Sequence, residues 1–166
     1  MLIFCDGPEA LAAPRLVRAL SSLVPGVVRG LIGDVHVVTP RAPAFAAIAD
    51  EAGVAHYGEA PGEGAFTTAL RALRGPWCVA LRGDQRVDGG WFDALEAFIM
   101  EPPRSALLRV APQNFAQHLL PGLAPASGII WHQTCVVGPL VPSWAGLREG
   151  LRPRLTLAAR TQPLTP

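Results

Sequence analysis

Residues 75–91 read GPWCVALRGDQRVDGGW, and the apolar run at 77–81 decides the class of fold. A run without polar residues is typical of a strand that is buried on both faces of a parallel sheet. In open α/β sheets, ligands bind just beyond the carboxyl ends of such strands. Asp84 follows this run closely, so its carboxylate is placed to meet a metal ion or a phosphate-bearing ligand. The alternative interpretation is that Asp84 turns the chain or caps a helix.

The composition predicts a single folded domain covering residues 1–166. Half of the 166 residues are hydrophobic and 16% are charged, which is typical of globular proteins and not of disordered ones. The formal net charge of +1 gives no indication of a nucleic-acid partner. All fourteen basic residues are arginine. This excludes Schiff-base chemistry and a Walker-type phosphate loop, because both need a lysine.

The cysteines and the apolar segments favour a cytoplasmic location. Cys5, Cys78 and Cys135 are widely spaced in apolar surroundings, so we expect three buried, reduced thiols and no zinc site. The sequence contains no charged segment followed by an apolar one, so we expect no secretory signal. No apolar run reaches the roughly 20 residues that a membrane span needs, so no transmembrane segment is expected.

Short apolar segments alternate with helical patterns along the first half of the chain. Predicted strands lie at 2–5, 35–38, 54–57 and 77–81, and predicted helices at 14–24, 44–52, 66–73 and 91–100. Pro25 and Gly26 should end the first helix. Three further strands are predicted in the second half, at 106–110, 134–137 and 154–159. This order predicts an α/β fold with a mostly parallel sheet and helices on both faces.

Three stretches carry a resemblance to a known family. They are 21–38 (SSLVPGVVRGLIGDVHVV), 47–54 (AIADEAGV) and 69–84 (ALRALRGPWCVALRGD), the last followed by Gly90 and Trp91. Together they resemble the GT-A-fold, family-2-type glycosyltransferases of bacteria, over roughly residues 1–100 and only loosely beyond. The resemblance implies a three-layer GT-A-like (nucleotide-diphospho-sugar transferase) fold, with a nucleotide-binding half at 1–100 and an acceptor-side half at 101–166. It also implies a nucleotide sugar as donor and an acceptor that the sequence does not identify.

The chain departs from the family pattern at three functional positions. Thr39 stands where the family usually has an acid against the nucleotide base. Arg82 stands where the first of two metal-binding acids is usual. Asp84 is then the one acid left in the motif, and it is expected to act in catalysis and to bind the metal. The chemistry is therefore expected either to use Mg²⁺ or Mn²⁺ on Asp84 or to proceed without a metal. The stretch 130–134 has no acid, and His132 is its one candidate general base. The alternative is a packed, hydrogen-bonded His132.

Arginine can replace part of the missing metal in such a site. A guanidinium stabilises the charge that develops on a leaving diphosphate, and Arg82 and Arg86 stand near the end of the central strand. The residues expected to bind the nucleotide sugar, by their places at the strand ends, are Asp6, Thr39, Arg41, Arg82, Gly83 and Arg86.

Two alternative functions stay open at the level of the sequence. The first is a catalytically inactive protein on the same fold that binds a nucleotide sugar or another partner. The second is a nucleotidyltransferase of similar architecture. It is disfavoured because residues 6–10 (DGPEA) supply neither a glycine-rich loop nor a lysine. A dinucleotide-binding domain is excluded for want of a GxGxxG motif after the first strand.

Overall fold

The computed structural model describes residues 1–5, 7–59, 64–112, 114–120, 124–135, 147, 149, 151 and 155–164. Eight strands and five α-helices follow one another along the chain in the described part. They are β1 (Leu2–Phe4), α1 (Glu9–Val28), β2 (His36–Pro40), α2 (Pro43–Glu51), β3 (Ala55–Glu59), α3 (Ala65–Ala72), β4 (Trp77–Arg82), β5 (Gln85–Arg86), α4 (Gly89–Ile99), β6 (Ser105–Val110), α5 (Phe115–Leu119), β7 (Ala126–His132) and β8 (Leu155–Pro163).

The strands form one mostly parallel sheet in the order β3-β2-β1-β4-β7-β6-β8-β5. The four strands from β3 to β4 are parallel to one another. β7 runs antiparallel between β4 and β6, and β8 then pairs in parallel with β6. The apolar strand β4 lies in the middle of the sheet, as the sequence predicted. The mostly parallel α/β architecture is confirmed.

Side chains alternate along the strands between two apolar clusters, one on each face of the sheet. Ile3, Val37 and Val79 lie in one cluster with the buried faces of α1, α2 and α4. Leu2, Val38 and Cys78 lie in the other with α3 and with the buried Leu147 and Leu151. A sheet that is apolar on both faces needs helices on both faces. The result is the three-layer arrangement that the sequence predicted.

Helix α1 does not end at Pro25, and the sequence-based prediction is wrong at this point. Pro25 lies in the last turn, where its missing N–H costs one hydrogen bond, and its carbonyl still accepts from the N–H of Arg29 at 3.0 Å. Gly26 lets the helix approach α4 closely, because a Cβ there would lie 2.3 Å from Cε1 of Phe92. Packing of the buried face therefore outweighs the local breaking tendency.

The length of α1 also corrects the expectation about membrane spans. Its 20 residues include a window of mean hydropathy 1.3. By length and composition alone the helix could therefore cross a membrane. The core helix of a folded domain meets the same criterion, and Leu16 and Leu23 of α1 are buried against the sheet. The feature is weak evidence for a membrane segment.

The second half differs from the sequence-based prediction at two places. No strand begins at residue 134, because Gln133–Cys135 forms a 3₁₀ turn, and residues 136 and 137 lie outside the described part. The unpredicted strand β7 precedes that turn. It opens on Ala, Ser and Gly, which carry little strand signal. Gly128 is needed there, since a Cβ would lie 2.5 Å from Leu81 Cδ2 and 2.7 Å from the Ala80 carbonyl.

The strand predicted at 154–159 is present as β8, although it extends to Pro163 and residue 154 lies outside the described part. The prediction of three buried thiols is correct for Cys5 and Cys78 only. Cys135 is partly exposed in the 3₁₀ turn, and all three cysteines are reduced thiols. A turn that follows an apolar strand returns its residues to the surface, which explains the error at Cys135.

Candidate functional site

The carboxyl ends of β1, β2 and β4 meet at one edge of the sheet, which we call the carboxyl edge. The N–H of Gly83 donates to the carbonyl of Phe4 at 2.7 Å, and the N–H of Cys5 donates to Val38 at 2.9 Å. A small cavity of about 100 Å³ opens there between Arg15, Arg82 and Asp84. This is the edge at which ligands bind in open α/β sheets.

Arg82 and Asp84 form a two-point ion pair beside this cavity. Arg82 Nη2 donates to Asp84 Oδ2 at 2.9 Å, and its Nε donates to Oδ1 at 3.2 Å. The buried side chain of Gln85 adds a third bond, from Nε2 to Asp84 Oδ1, at 2.9 Å. Burial by itself would raise the pKa of Asp84. The hydrogen bonds from Arg82 and Gln85 more than offset it, so this pKa is held below its usual range.

The donor set at this edge does not fit a metal ion held by the protein alone. Mg²⁺ and Mn²⁺ bind through several hard oxygen ligands, and Asp84 is the one carboxylate among the described residues that line the cavity. Both of its oxygens already accept from Arg82. In the described part of the chain, no three His, Cys, Asp or Glu side chains lie close enough together to hold a metal.

Gly83 is fixed by packing between the two strands. A Cβ at this position would lie 2.0 Å from Sγ of Cys5 and 3.2 Å from its Cβ. A side chain here would require the Cys5 thiol to turn away and the rest of Cys5 to move by a few tenths of an ångström, while the bond to Phe4 holds Gly83 in place. The glycine therefore brings the Arg82–Asp84 backbone directly against the end of β1.

The last described strand anchors the segment that carries Asp84. β5 pairs with the end of β8, and the carbonyl of Asp84 accepts from the N–H of Leu164 at 2.8 Å. Thr161 donates its hydroxyl to the buried Gln85 at 3.0 Å. Arg86 is exposed and donates from Nε to Gln162 Oε1 at 2.8 Å. Residues far apart in the sequence thus hold the predicted site.

Asp88 is the acid that caps a helix at this edge. Its Oδ1 accepts from the N–H of Trp91 at 3.0 Å at the start of α4. The capping alternative considered for Asp84 therefore applies to Asp88. Asp84 instead faces the cavity with Arg82.

The remaining residues expected to bind the donor are placed unevenly. Thr39 is buried, and its hydroxyl lies 2.9 Å from Nε2 of His56 and 2.9 Å from the carbonyl of Pro40. The hydroxyl of Thr39 is therefore turned into the structure and bonds to its neighbours. Arg41 is exposed where β2 ends. Asp6 lies outside the described residues.

His132 lies at the opposite edge of the sheet, so it cannot act together with Asp84. β7 runs antiparallel to β4, and the register pairs His132 with Trp77, the first residue of β4. The full length of β4, about 17 Å at ~3.3 Å per residue, separates it from Arg82. Nδ1 of His132 lies 2.8 Å from Oγ1 of Thr134, and its ring packs edge-on against Trp77. The packed alternative is the one observed.

Arg15 and Gln85 belong to the site and were not found from the sequence. Arg15 lines the cavity from α1, and Gln85 orients Asp84. A signal for Arg15 existed, since α1 follows β1 directly and its first turns must lie at the carboxyl edge. Gln85 gave no such signal, because its role depends on the contact with β8.

Comparison with known proteins identifies the class of fold. No protein-family model and no curated protein sequence matches the chain. Among solved structures, mannosyl-3-phosphoglycerate synthase from Rubrobacter xylanophilus superposes with a TM-score of 0.60 and 18% identity, covering 99% of this chain and 66% of that one. Residues 1–349 of TarS from S. aureus superpose with a TM-score of 0.53 and 15% identity, covering 68% of this chain and 36% of that one.

These likenesses show a GT-A-like (nucleotide-diphospho-sugar transferase) α/β fold. The chain spans about a third of the TarS structure and just under two thirds of the synthase structure. At these identities the likeness shows the fold alone, and the function depends on the residues that this chain has at its site.

Proposed function

We propose that the protein is a glycosyltransferase of the family-2 type that binds a nucleoside diphosphate sugar at the carboxyl edge. The observation that carries the proposal is the Arg82–Asp84 pair, which lines a cavity with Arg15 where β1 and β4 end. The fold supports it, because the synthase it resembles is named for a mannosyl product. The acceptor is not identified by any of these observations.

Arg82 and Arg15 are proposed to hold the diphosphate. As the bond between the sugar and the diphosphate breaks, negative charge grows on the leaving group, and guanidinium groups stabilise it by charge-assisted hydrogen bonds. The Arg82 side chain is about half exposed beside the cavity. Asp84 is proposed as the positioning residue that fixes the plane of the Arg82 guanidinium.

We further propose that donor binding does not depend on a divalent metal. The cations at the site are arginines, and the Asp84 carboxylate is already engaged by one of them. A metal on Asp84 would have to displace Arg82, which exchanges one cation for another without adding ligands. Donor affinity should therefore be similar in the presence of Mn²⁺ and of a chelator.

A second candidate function is supported by a separate observation. With His132 at the other edge, the carboxylate of Asp84 is the one candidate base that the described residues present to the cavity, and Arg82 holds it with a lowered pKa. A weakly basic group is a poor proton acceptor. This favours a nucleotide-sugar-binding protein that lacks transfer activity.

Calorimetry with UDP- and GDP-sugars tests the proposal. A charge-assisted contact is worth ~1.5–3 kcal/mol, so Arg82→Ala should weaken binding roughly ten- to hundredfold. Arg82→Lys should recover only part of this loss, because lysine cannot bind bidentately. Arg104→Ala is the matched control, since its guanidinium lies over Phe98 before β6, at the opposite edge.

Each outcome separates the candidates. Unchanged binding by Arg82→Ala would show that Arg82 does not hold the diphosphate. Binding by the parent protein without release of free sugar or transfer to any acceptor would favour the inactive binding protein. A strict requirement for Mn²⁺ would contradict the metal-independent site.

A further inference from the structure

An apolar groove runs between α1 and α2, away from the carboxyl edge. It has a volume of about 440 Å³ and is lined mainly by aliphatic side chains such as Leu20, Val24, Val27, Ile48 and Val54. On α1 around it, Val24 is 56% exposed, Val27 50% and Val28 81%. Several large aliphatic side chains in water on one helix are typical of a surface that binds an apolar ligand or partner.

The groove continues into a second, polar cleft at the amino ends of β2 and β3. This cleft has a volume of about 620 Å³, and Val27, Val35, Ala52 and Val54 line both spaces. Its far side carries the guanidinium groups of Arg71 and Arg74, at the end of α3 and just beyond it. The two spaces together form one groove that is apolar at one end and cationic at the other.

The two arginines are available to an external anion. Neither makes a hydrogen bond or an ion pair with any residue that the structure describes. Asp34 is the one acid among the described residues that line this cleft; it feels the charge of Arg74 and bonds to His36, with Oδ2 3.0 Å from Nε2. Two guanidinium groups therefore face one carboxylate in this cleft, which leaves an excess of positive charge.

The rest of the wall fixes the direction in which a ligand would lie. His36 is buried, and its Nδ1 lies 3.2 Å from the hydroxyl of Tyr57, which lines the cationic end. The apolar part is lined by one acid, Glu51, among its described residues. Glu51 repels an anionic group there, so the anionic end of a ligand belongs beside Arg71 and Arg74.

We propose that this groove binds a single-chain anionic amphiphile, with its hydrocarbon chain between α1 and α2 and its phosphate or carboxylate head on Arg71 and Arg74. The exposed valines supply the burial of the chain, and the two guanidinium groups supply charge-assisted bonds to the head. The groove lies away from the carboxyl edge, so the proposal does not depend on the proposed glycosyl transfer.

The test varies the chain and the head of the probe separately. Dodecyl phosphate below its micelle concentration should bind saturably with one site, measured by calorimetry. Butyl phosphate, which has the same head, should bind at least a hundredfold more weakly, since each fully buried methylene contributes up to about fourfold. Dodecyl maltoside, which has the same chain and a neutral head, should bind about tenfold or more weakly than dodecyl phosphate, which has charge-assisted bonds.

Variants of the protein should reproduce this separation. Arg71→Ala with Arg74→Ala should weaken dodecyl phosphate tenfold or more and leave dodecyl maltoside unchanged. Val24→Ser with Val28→Ser should weaken both probes, and these exposed positions can change without opening the core. Met100→Ser is the matched control, because Met100 is 83% exposed at the end of α4 and outside the groove. Circular dichroism shows that each variant is folded.

Four results would overturn the proposal. Equal affinity for butyl and dodecyl phosphate would leave an anion site without a role for the groove. Dodecyl phosphate binding that survives loss of both arginines, or that Met100→Ser weakens as much as the valine variant does, would point to nonspecific adsorption. Binding to vesicles of anionic phospholipid, with none to monomeric dodecyl phosphate, would make the exposed face of α1 a membrane surface instead.

Discussion

The two edges of the sheet differ in how their charges are used. At the carboxyl edge Arg82 bonds to Asp84 and Arg86 bonds to Gln162, whereas Arg15, which lines the cavity of about 100 Å³ with Arg82, makes no hydrogen bond or ion pair with a described residue. At the opposite edge, where the parallel strands begin and which we call the amino edge, a cleft of about 620 Å³ is lined by Arg71 and Arg74, which bond to no described residue. A ligand on Arg82 would share the guanidinium group with Asp84, whereas a ligand on Arg71 and Arg74 would meet guanidinium groups that bond to no described residue.

The backbone shows the same contrast between crowding and open space. A Cβ on Gly83 would lie 2.0 Å from Cys5 Sγ, but a Cβ on Gly33, at the amino edge, would meet nothing within 4 Å. The carboxyl edge is packed by the protein itself. Its small cavity follows from this packing.

Gly83→Ala is the substitution with the largest expected effect on stability. Overpacking of a well-filled core costs about 1–3 kcal/mol, and the added methyl group would lie 3.2 Å from Cβ and 3.4 Å from Cα of Cys5 as well as against its thiol. Urea unfolding measures the loss in the free energy of unfolding. Gly33→Ala is the matched control and should stay within about 0.5 kcal/mol of the parent protein.

A second variant tells whether the Cys5 thiol causes that loss. In a Cys5→Ala background the sulfur is gone, although the Cβ of residue 5 remains 3.2 Å from the added methyl group. Gly83→Ala should then cost less than in the parent, a coupling that a double-mutant cycle detects. A loss that is unchanged by Cys5→Ala would place the strain in the backbone instead.

Helix dipoles extend the comparison to the acids at each edge. Asp88 precedes the first residue of α4 and accepts from the N–H of Trp91, whereas Asp50 lies in the last turn of α2. Acids stabilise the amino ends of helices and oppose their carboxyl ends. In this architecture the amino ends of the helices lie at the carboxyl edge of the sheet.

Asp88→Ala should lower the free energy of unfolding by about 1 kcal/mol, which is the usual contribution of such a cap. Asp88→Asn keeps an acceptor and should recover most of it. Asp50→Ala removes an acid from the carboxyl end of a helix, where a negative charge opposes the helix dipole. It should leave stability unchanged or raise it by a few tenths of a kcal/mol. Equal losses for Asp88→Ala and Asp50→Ala would contradict the asymmetry. Chemical denaturation is the measurement.

The sequence predicted the fold of the first half well for a physical reason. Strands such as β4, buried on both faces, need continuous apolar runs. Gly53, at positive φ directly after the C-cap of α2, ends that helix as the sequence predicted. β7 could not be found in the same way, because close packing against Leu81 selects Gly128 and removes the strand signal. Because β7 runs antiparallel to β4, His132 lies at the amino edge and not at the carboxyl edge with Asp84.

The location of the candidate site could be predicted from the sequence, but the side-chain contacts within it could not. Parallel strands bring Arg82 and Asp84 to the same edge as the end of β1, and this follows from topology alone. That Arg82 turns back onto Asp84, or that Thr39 turns inward to His56, depends on side-chain packing. The amino-edge groove combines residues of three helices and two strands, so no local pattern indicated it.

The smallest expected effect is the pH dependence of the Arg82–Asp84 pair. Because the pKa of Asp84 lies below its usual range in the folded protein, its charge stabilises the fold above the unfolded pKa of about 3.9. That contribution is lost as the pH falls through the folded pKa. The parent should therefore exceed Asp84→Asn in stability near neutral pH by less than about 1 kcal/mol, because both side chains are partly exposed.

Denaturation curves from pH 7 down to pH 3 should show this difference shrinking below about pH 4, and high salt should reduce it at neutral pH. The Arg82→Ala background assigns the cause. Without the guanidinium, burial of Asp84 is opposed mainly by Gln85, so the cost of Asp84→Asn should diminish or become a gain. Asp34→Asn, at the other edge, should have the same effect with and without Arg82, since its carboxylate pairs with His36. If the effect of Asp34→Asn on stability depended on Arg82, the two edges would be coupled through the sheet. Their charges would then not act independently of one another.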